Sequence, residues 1–206
     1  MKKLKEKSFE RKAELFEAAL DEFTSKNYKE ASLNNIIKNA GISKGTFYYH
    51  FQDKQDLYLF LLESASKSKW EFVRNRINEN IEDYEGKDIF ERFKSQGRIG
   101  VEFAMTFPKY HQLSKMFMKE KGNKIYDIAK ATLGSNTEKL LEEMIKKAIK
   151  NGDFKEEFSE DFLIRTISYL FVHFDEIFYM EEDLEFQRMI MNLDHYVDFM
   201  RRGLGK

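Results

Sequence analysis

The chain has no cysteine among its 206 residues. That excludes disulfide scaffolds, Cys-ligated zinc, iron–sulfur clusters and thiol nucleophiles together. It has one proline and ten glycines. Such sparse punctuation argues against many-stranded sandwiches, barrels and propellers, whose turns consume both residues. No apolar run approaches the roughly 18 residues needed to span a bilayer. The basic start, Met1 to Lys7, is not followed by the apolar stretch of a signal peptide. The expectation is a cytoplasmic protein with no membrane partner. Net charge is nearly absent too, at −1 from 35 basic and 36 acidic residues.

The charges that are present are unevenly spread. Residues 1–54 carry 11 Lys/Arg against 8 Asp/Glu, and residues 55–206 carry 24 against 28. A mildly basic head on a mildly acidic body fits a nucleic-acid contact near the N-terminus. Apolar residues make up 42% of the chain, enough for a sizeable core.

The periodicity is helical throughout. Phe9, Ala13, Phe16, Leu20 and Phe23 step by 4, 3, 4 and 3, with Ser8 as a start cap. Leu33, Ile36, Ile37 and Ala40 form one side of a shorter helix capped by Ser32. Ser43 caps a third, holding Thr46, Phe47 and Phe51. Asp53, with Asp56 three residues on, opens a fourth that runs through Trp70 to about Asn80. Ile89, Phe90, Phe93, Gly97, Gly100 and Ala104 share a face, where the glycines suit close helix packing or a kink. Pro108 suits the first turn of the next helix, to about Lys119. Leu140 to Ile149 marks another, stopped by Gly152. Ser159 caps a helix running to Phe178. Phe186, Ile190, Leu193, Val197, Met200 and Leu204 give nearly three heptads of a last one.

Ser32 to Phe51 reads helix, tight glycine turn, short helix, the layout of a helix-turn-helix DNA reader. Leu33, Ile36 and Ile37 supply the apolar face that holds the second helix, and Gly41 supplies the turn. Lys44, Gly45, Thr46, Tyr48 and Tyr49 give that helix small or hydrogen-bonding groups for a major groove. Lys44 can reach guanine or phosphate, and tyrosine hydroxyls hold phosphates. Lys54 adds a cation nearby.

The segment from about Phe9 to Leu61 resembles the DNA-binding domain of TetR/AcrR-family transcriptional repressors. The opening helix with Ala18 and Phe23, the run Ala40-Gly41-Ile42-Ser43-Lys44-Gly45-Thr46-Phe47-Tyr48-Tyr49-His50-Phe51 and the tail Asp53 to Leu57 carry the likeness. It covers about a quarter of the chain. The resemblance implies DNA contacts from Ser32, Asn34 and Asn35 on the supporting helix. It implies base or phosphate contacts from Lys44, Gly45, Thr46, Tyr48, Tyr49 and His50, and a backbone contact from Lys54. Phe47 and Phe51 would face the core. It also implies an all-α fold, with a three-helix helix-turn-helix domain at 1–54 and a helical ligand-binding and dimerisation domain at 55–206. The dimer would form through the last two helices.

Several features admit two readings. Lys2, Lys3, Lys5 and Lys7 form either an arm on DNA or a solubilising tail. Phe103, Phe107, Tyr110, Met116, Phe117, Phe171, His173, Phe174 and Phe178 are either core or the lining of a cavity for a small apolar ligand. Glu176 and Asp175 beside His173 make a weak metal pattern. The heptad residues Phe186, Ile190, Leu193, Val197 and Met200 are either internal core or a dimer seam. No H-E-x-x-H pair, phosphate loop, nucleophile elbow or catalytic carboxylate pair is recognisable, so neither an enzyme nor a cofactor or metal is expected. The expectation is a dimeric, sequence-specific repressor released from a double-stranded operator by a small apolar effector. A helical adaptor or enzyme outside transcription is the rival.

Overall fold

The computed structural model describes residues 11–174, 177 and 186–206, with the backbone alone at 135–138 and 172. The basic arm, Ser8, Phe9, Asp175, Glu176, Phe178 and Tyr179 lie outside the described residues. Among those described the fold is all-α. The helices are α1 (Lys12–Ser25), α2 (Leu33–Asn39), α3 (Lys44–His50), α4 (Lys54–Glu79), α5 (Ile81–Gly86) and α6 (Ile89–Thr106). They continue with α7 (Pro108–Lys119), α8 (Lys124–Leu133), α9 (Ser135–Asn151), α10 (Glu160–Val172) and α11 (Phe186–Leu204). The short α5 and α8 break off where the periodicity is too brief to read.

Several expected caps are in place, whereas the helix expected to run to Phe178 ends at Val172 and the one expected from Leu140 begins at Ser135. Ser32, Ser43 and Ser159 each accept the backbone N–H three residues on. Asp53 Oδ1 accepts the Asp56 N–H at 2.9 Å, and Asp56 Oδ2 accepts the Gln52 N–H at 3.0 Å. That is a capping box shifted by one residue. Pro108 sits in the first turn of α7. Gly152 ends α9 in the left-handed region at φ +79°.

The chain divides into two compact units, and the division differs from a cut at residue 54. One unit runs to Ser68 and adds Thr106–Leu133; the other is Lys69–Met105 with Gly134–Lys206. The reason lies in the cores. Leu113, Ile125 and Ala129 of α7 and α8 are buried in the same cluster as Leu15, Ala19, Phe23, Ile36, Phe47, Leu57 and Leu61. Helices α1 to α4 therefore share their core with a segment far along the chain. The long α4 carries the single tryptophan, half-buried Trp70.

The second core gathers Ile89, Phe90 and Phe93 of α6, Ile145 and Ala148 of α9, Leu163 and Ile167 of α10, and Tyr196, Val197 and Met200 of α11. Charged pairs stitch α6 to α11. Lys94 reaches Asp198 at 2.6 Å, Arg98 reaches Asp194 at 2.8 Å, and Arg201 holds Glu91 at 2.9 Å and also Asp88. Val197 and Met200 are buried inside the monomer, so these two heptad positions are internal core rather than dimer seam, while half-buried Leu193 packs on the same core. A heptad marks a buried stripe without saying what covers it, and α6 and α10 cover this one. Phe186 and Ile190 are half-buried.

Candidate nucleic-acid interface

The turn between α2 and α3 is built by Gly41. Its φ is +64°, a region that L side chains avoid. Its N–H donates to Lys38 O at 3.1 Å, and the Ile42 N–H donates to Ile37 O at 3.3 Å. This double closure is a Schellman motif. Arg11 Nη1 donates to Gly41 O at 3.1 Å and braces the turn from the start of α1. Sequence reading missed Arg11, because nothing local links it to residue 41.

Beyond the turn, Ser43 Oγ accepts the Thr46 N–H at 3.0 Å and shares a hydrogen bond with Thr46 Oγ1 at 2.9 Å. Phe47 is fully buried, with its ring 5.7 Å from Phe51, so α3 is anchored from one side. The other side is open. Lys44 and Gly45 are exposed, Tyr48 is 56% and Tyr49 50% exposed, and Thr46 and His50 are half-buried. A Cβ on Gly45 would meet only Ser43 Oγ, at an ordinary 3.6 Å. The protein's own packing therefore does not demand glycine there. The His50 imidazole lies below its ordinary pKa, first through burial and then through the charge of Lys12. It is neutral near pH 7.

On α2, Asn34 and Asn35 are exposed, while the Ser32 hydroxyl is engaged as the cap. Lys54 is the expected contact that the structure turns inward. Its ammonium donates to Tyr28 O and Ala31 O, both at 2.7 Å, and sits 4.6 Å from the Tyr28 ring centre. Burial lowers its pKa, against the opposing charges of Glu22 and Glu120. Glu22 is also buried. Burial pushes its carboxyl up, but hydrogen bonds from Lys26 and the Ser32 N–H outweigh it and hold the pKa below the ordinary value. Burial pushes the neighbouring Tyr58 phenol well up.

The residues expected to line one apolar pocket divide between the two units. Phe107, Tyr110, Met116 and Phe117 fall in the first, where Phe117 stacks on Tyr126 at 4.9 Å. Phe103, Phe171, His173 and Phe174 fall in the second. There Phe171 meets Phe93 at 4.2 Å, Phe174 meets Tyr196 at 5.3 Å and Phe103 meets Phe72 at 5.6 Å. A cavity of about 420 Å³ in the second unit is lined instead by charged and polar groups, including Arg76, Glu79, Asp83, Lys87 and Glu102. Among the described residues no three His, Asp or Glu side chains are placed to hold a metal ion, and no helix is long and apolar enough to cross a membrane.

The family model of bacterial regulatory proteins of the tetR family matches residues 9–60, which span α1 to α3 and the start of α4. The HTH-type transcriptional regulator AcrR of Shigella flexneri is 30% identical over 86 residues, 42% of this chain. The chain spans only 36% of AcrR's length. The HTH-type transcriptional regulator YvdT of Bacillus subtilis is 26% identical over 195 residues, 93% of each chain. The fold is shared with a TetR family transcriptional regulator from Chloroflexus aurantiacus J-10-FL, at a TM-score of 0.64 and 18% identity over 98% of this chain and 96% of that one. It is shared too with the ketosteroid transcriptional regulator KstR2 of Mycobacterium tuberculosis, at 0.59 and 15% over 99% and 100%. The glycine turn, the solvent-facing side of α3 and the match that encloses them lead to one conclusion: residues 9–60 are similar to the helix-turn-helix region of bacterial regulatory proteins of the tetR family, and the chain as a whole shares the fold of such regulators.

Proposed function

We propose that the chain is a sequence-specific DNA-binding transcriptional regulator that works as a homodimeric repressor in the cytoplasm. The observation that carries this reading is α3 itself. It is anchored by buried Phe47 and presents Lys44, Gly45, Tyr48 and Tyr49 to solvent together. Tyr48 and Tyr49 each keep half or more of their surface in solvent, where their hydroxyls can meet phosphates, and the uncrowded Gly45 lets a phosphate or base edge come close. Asn34 and Asn35 add hydrogen-bonding groups from α2.

Half-sites one turn of DNA apart, about 34–36 Å, match a two-fold dimer. The faces of α10 and α11 turned away from the core suit that dimer, with Tyr169 at 64% and Phe199 at 69% exposure. Release from the operator follows when a small apolar effector binds one dimer shape more tightly than another; equal affinity for both shifts nothing.

The test is binding of the purified protein to DNA from just upstream of its own gene, at two salt concentrations, beside Lys44→Ala and Tyr48→Ala. The expected result is sequence-dependent binding that falls steeply with salt and weakens at least about ten-fold in each variant. Absence of binding to any DNA, with both substitutions silent, overturns the reading.

A further inference from the structure

The connection from α1 to α2 is pinned by three charged side chains. Glu22 Oε1 accepts the Ser32 N–H at 2.8 Å. Lys54 Nζ takes the Tyr28 and Ala31 carbonyls at 2.7 Å each. Both residues lie inside the stretch that matches the DNA-binding domain. The third does not. Glu120, just past the end of α7, accepts the Tyr28 N–H through Oε1 at 2.6 Å and Asn123 Nδ2 through Oε2 at 2.8 Å. It is 3% exposed and stands 92 residues further along the chain.

A buried carboxylate is costly unless its oxygens are satisfied, and a buried backbone N–H is costly without an acceptor. Glu120 and Tyr28 solve both problems at once. The Tyr28 ring is locked at the same place, 5.0 Å from Tyr58 and 6.3 Å from Phe23. Four residues later the chain enters α2 at Ser32, so the setting of Tyr28 sets the entry of the reading motif against α1.

We propose that Glu120 is a positioning residue for DNA reading. The helix-turn-helix holds its reading geometry only while this carboxylate, delivered by the Thr106–Leu133 segment, grips the Tyr28 amide. The inference rests on the proposed DNA-binding function. Glu120 acts through the connection and touches no DNA. Its loss therefore misplaces α2 and α3 without removing a phosphate contact.

The experiment uses the full chain, with the upstream fragment that the wild type binds as probe. Glu120→Ala removes the acceptor, and Glu120→Gln keeps an oxygen in place without the charge. Circular dichroism checks that each variant is folded, and hydrogen exchange without DNA reads the Tyr28 amide. Expected are rapid Tyr28 exchange and about ten-fold or weaker DNA binding in Glu120→Ala, with an unchanged salt slope. Glu120→Gln restores binding to within about three-fold of wild type. If Glu120→Ala does not fold, Glu120→Asp replaces it, retracting the oxygen by one methylene, and the same loss is expected. Wild-type affinity in the folded variant overturns the inference, as does a loss accompanied by a changed salt slope or an unchanged Tyr28 amide. Should the wild type bind no DNA, the function falls and the positioning role with it. A Tyr28 amide that still answers to Glu120 would then mark a purely structural bond.

Discussion

Leu193 Cδ2 in α11 lies 1.8 Å from where a Cβ on Gly97 of α6 would stand. The two helices meet closely because position 97 has no side chain. Gly97→Ala gains about 1 kcal/mol of helix propensity, yet it forces the Leu193 side chain out of its seat. The expected net loss is about 1–2 kcal/mol in urea unfolding. Leu193→Ala alone also destabilises. Combined, the two cost less than their sum by at least about 0.5 kcal/mol, because the small residue at 193 makes room for the new methyl. Strict additivity would show that Leu193 swings aside freely.

Lys44 and Lys54 should separate cleanly. Lys54→Met leaves the carbonyls of Tyr28 and Ala31 without their cation, beside Glu22 and Glu120. A stability loss of about 2–3 kcal/mol is expected. Lys44→Ala, at an exposed site, should stay within about 0.5 kcal/mol of wild type while weakening DNA binding. Thermal unfolding and DNA titration on the same samples check both. A stable Lys54→Met protein with lost DNA affinity would make Lys54 a phosphate contact after all.

The outward faces of α10 and α11 predict the assembly. Phe199 is 69% exposed and lies on the side of α11 opposite Val197 and Met200. Phe199→Asp should leave monomer folding nearly unchanged. It should move the sedimentation coefficient from dimer toward monomer, because a charge in an apolar seam is costly. Operator affinity should fall with it. An unchanged sedimentation profile would put the seam elsewhere.

Glu22 sets a pH dependence with a definite sign. Its folded pKa lies below the ordinary 4.5. The stability it contributes is therefore fully present above pH 4.5 and drains away as pH falls below that value through the folded pKa. Glu22→Gln should cost about 1 kcal/mol at neutral pH and make the acid side of the stability profile shallower. Denaturant midpoints at neutral pH and just below pH 4.5 compare the two proteins. Parallel profiles would remove Glu22 from the acid response.

Much of this was legible in the sequence because the signals are local. Ser32, Ser43, Ser159, Asp53, Pro108 and Gly152 act within a turn of their own positions, so spacing alone reveals them. The fully buried Phe47 and the exposed Tyr48 and Tyr49 follow from helical periodicity. What stayed hidden depends on partners far along the chain. Glu22 falls on the buried stripe with Leu15, Ala18 and Ala19, and Glu120 follows Leu113 and Phe117 at helical spacing. A carboxylate on an apolar stripe is a visible anomaly, but its acceptor role needs the fold. The inward turn of Lys54 has the same cause. The α11 heptad was ambiguous in another way: its periodicity reports burial, and only the contacts with α6 and α10 say that Val197 and Met200 are buried within one chain.

Trp70 stands alone in its residue type, on a helix that continues past Ser68 into the second unit. Its indole emission, excited at the red edge where tyrosine is silent, reports a single half-buried position rather than an average over the molecule. With no native thiol present, one introduced cysteine on exposed Tyr48 or Phe199 would take a dye at one defined place. Energy transfer from Trp70 to that dye then gives a distance ruler between α4 and either the reading helix or α11, in solution and without altering the background.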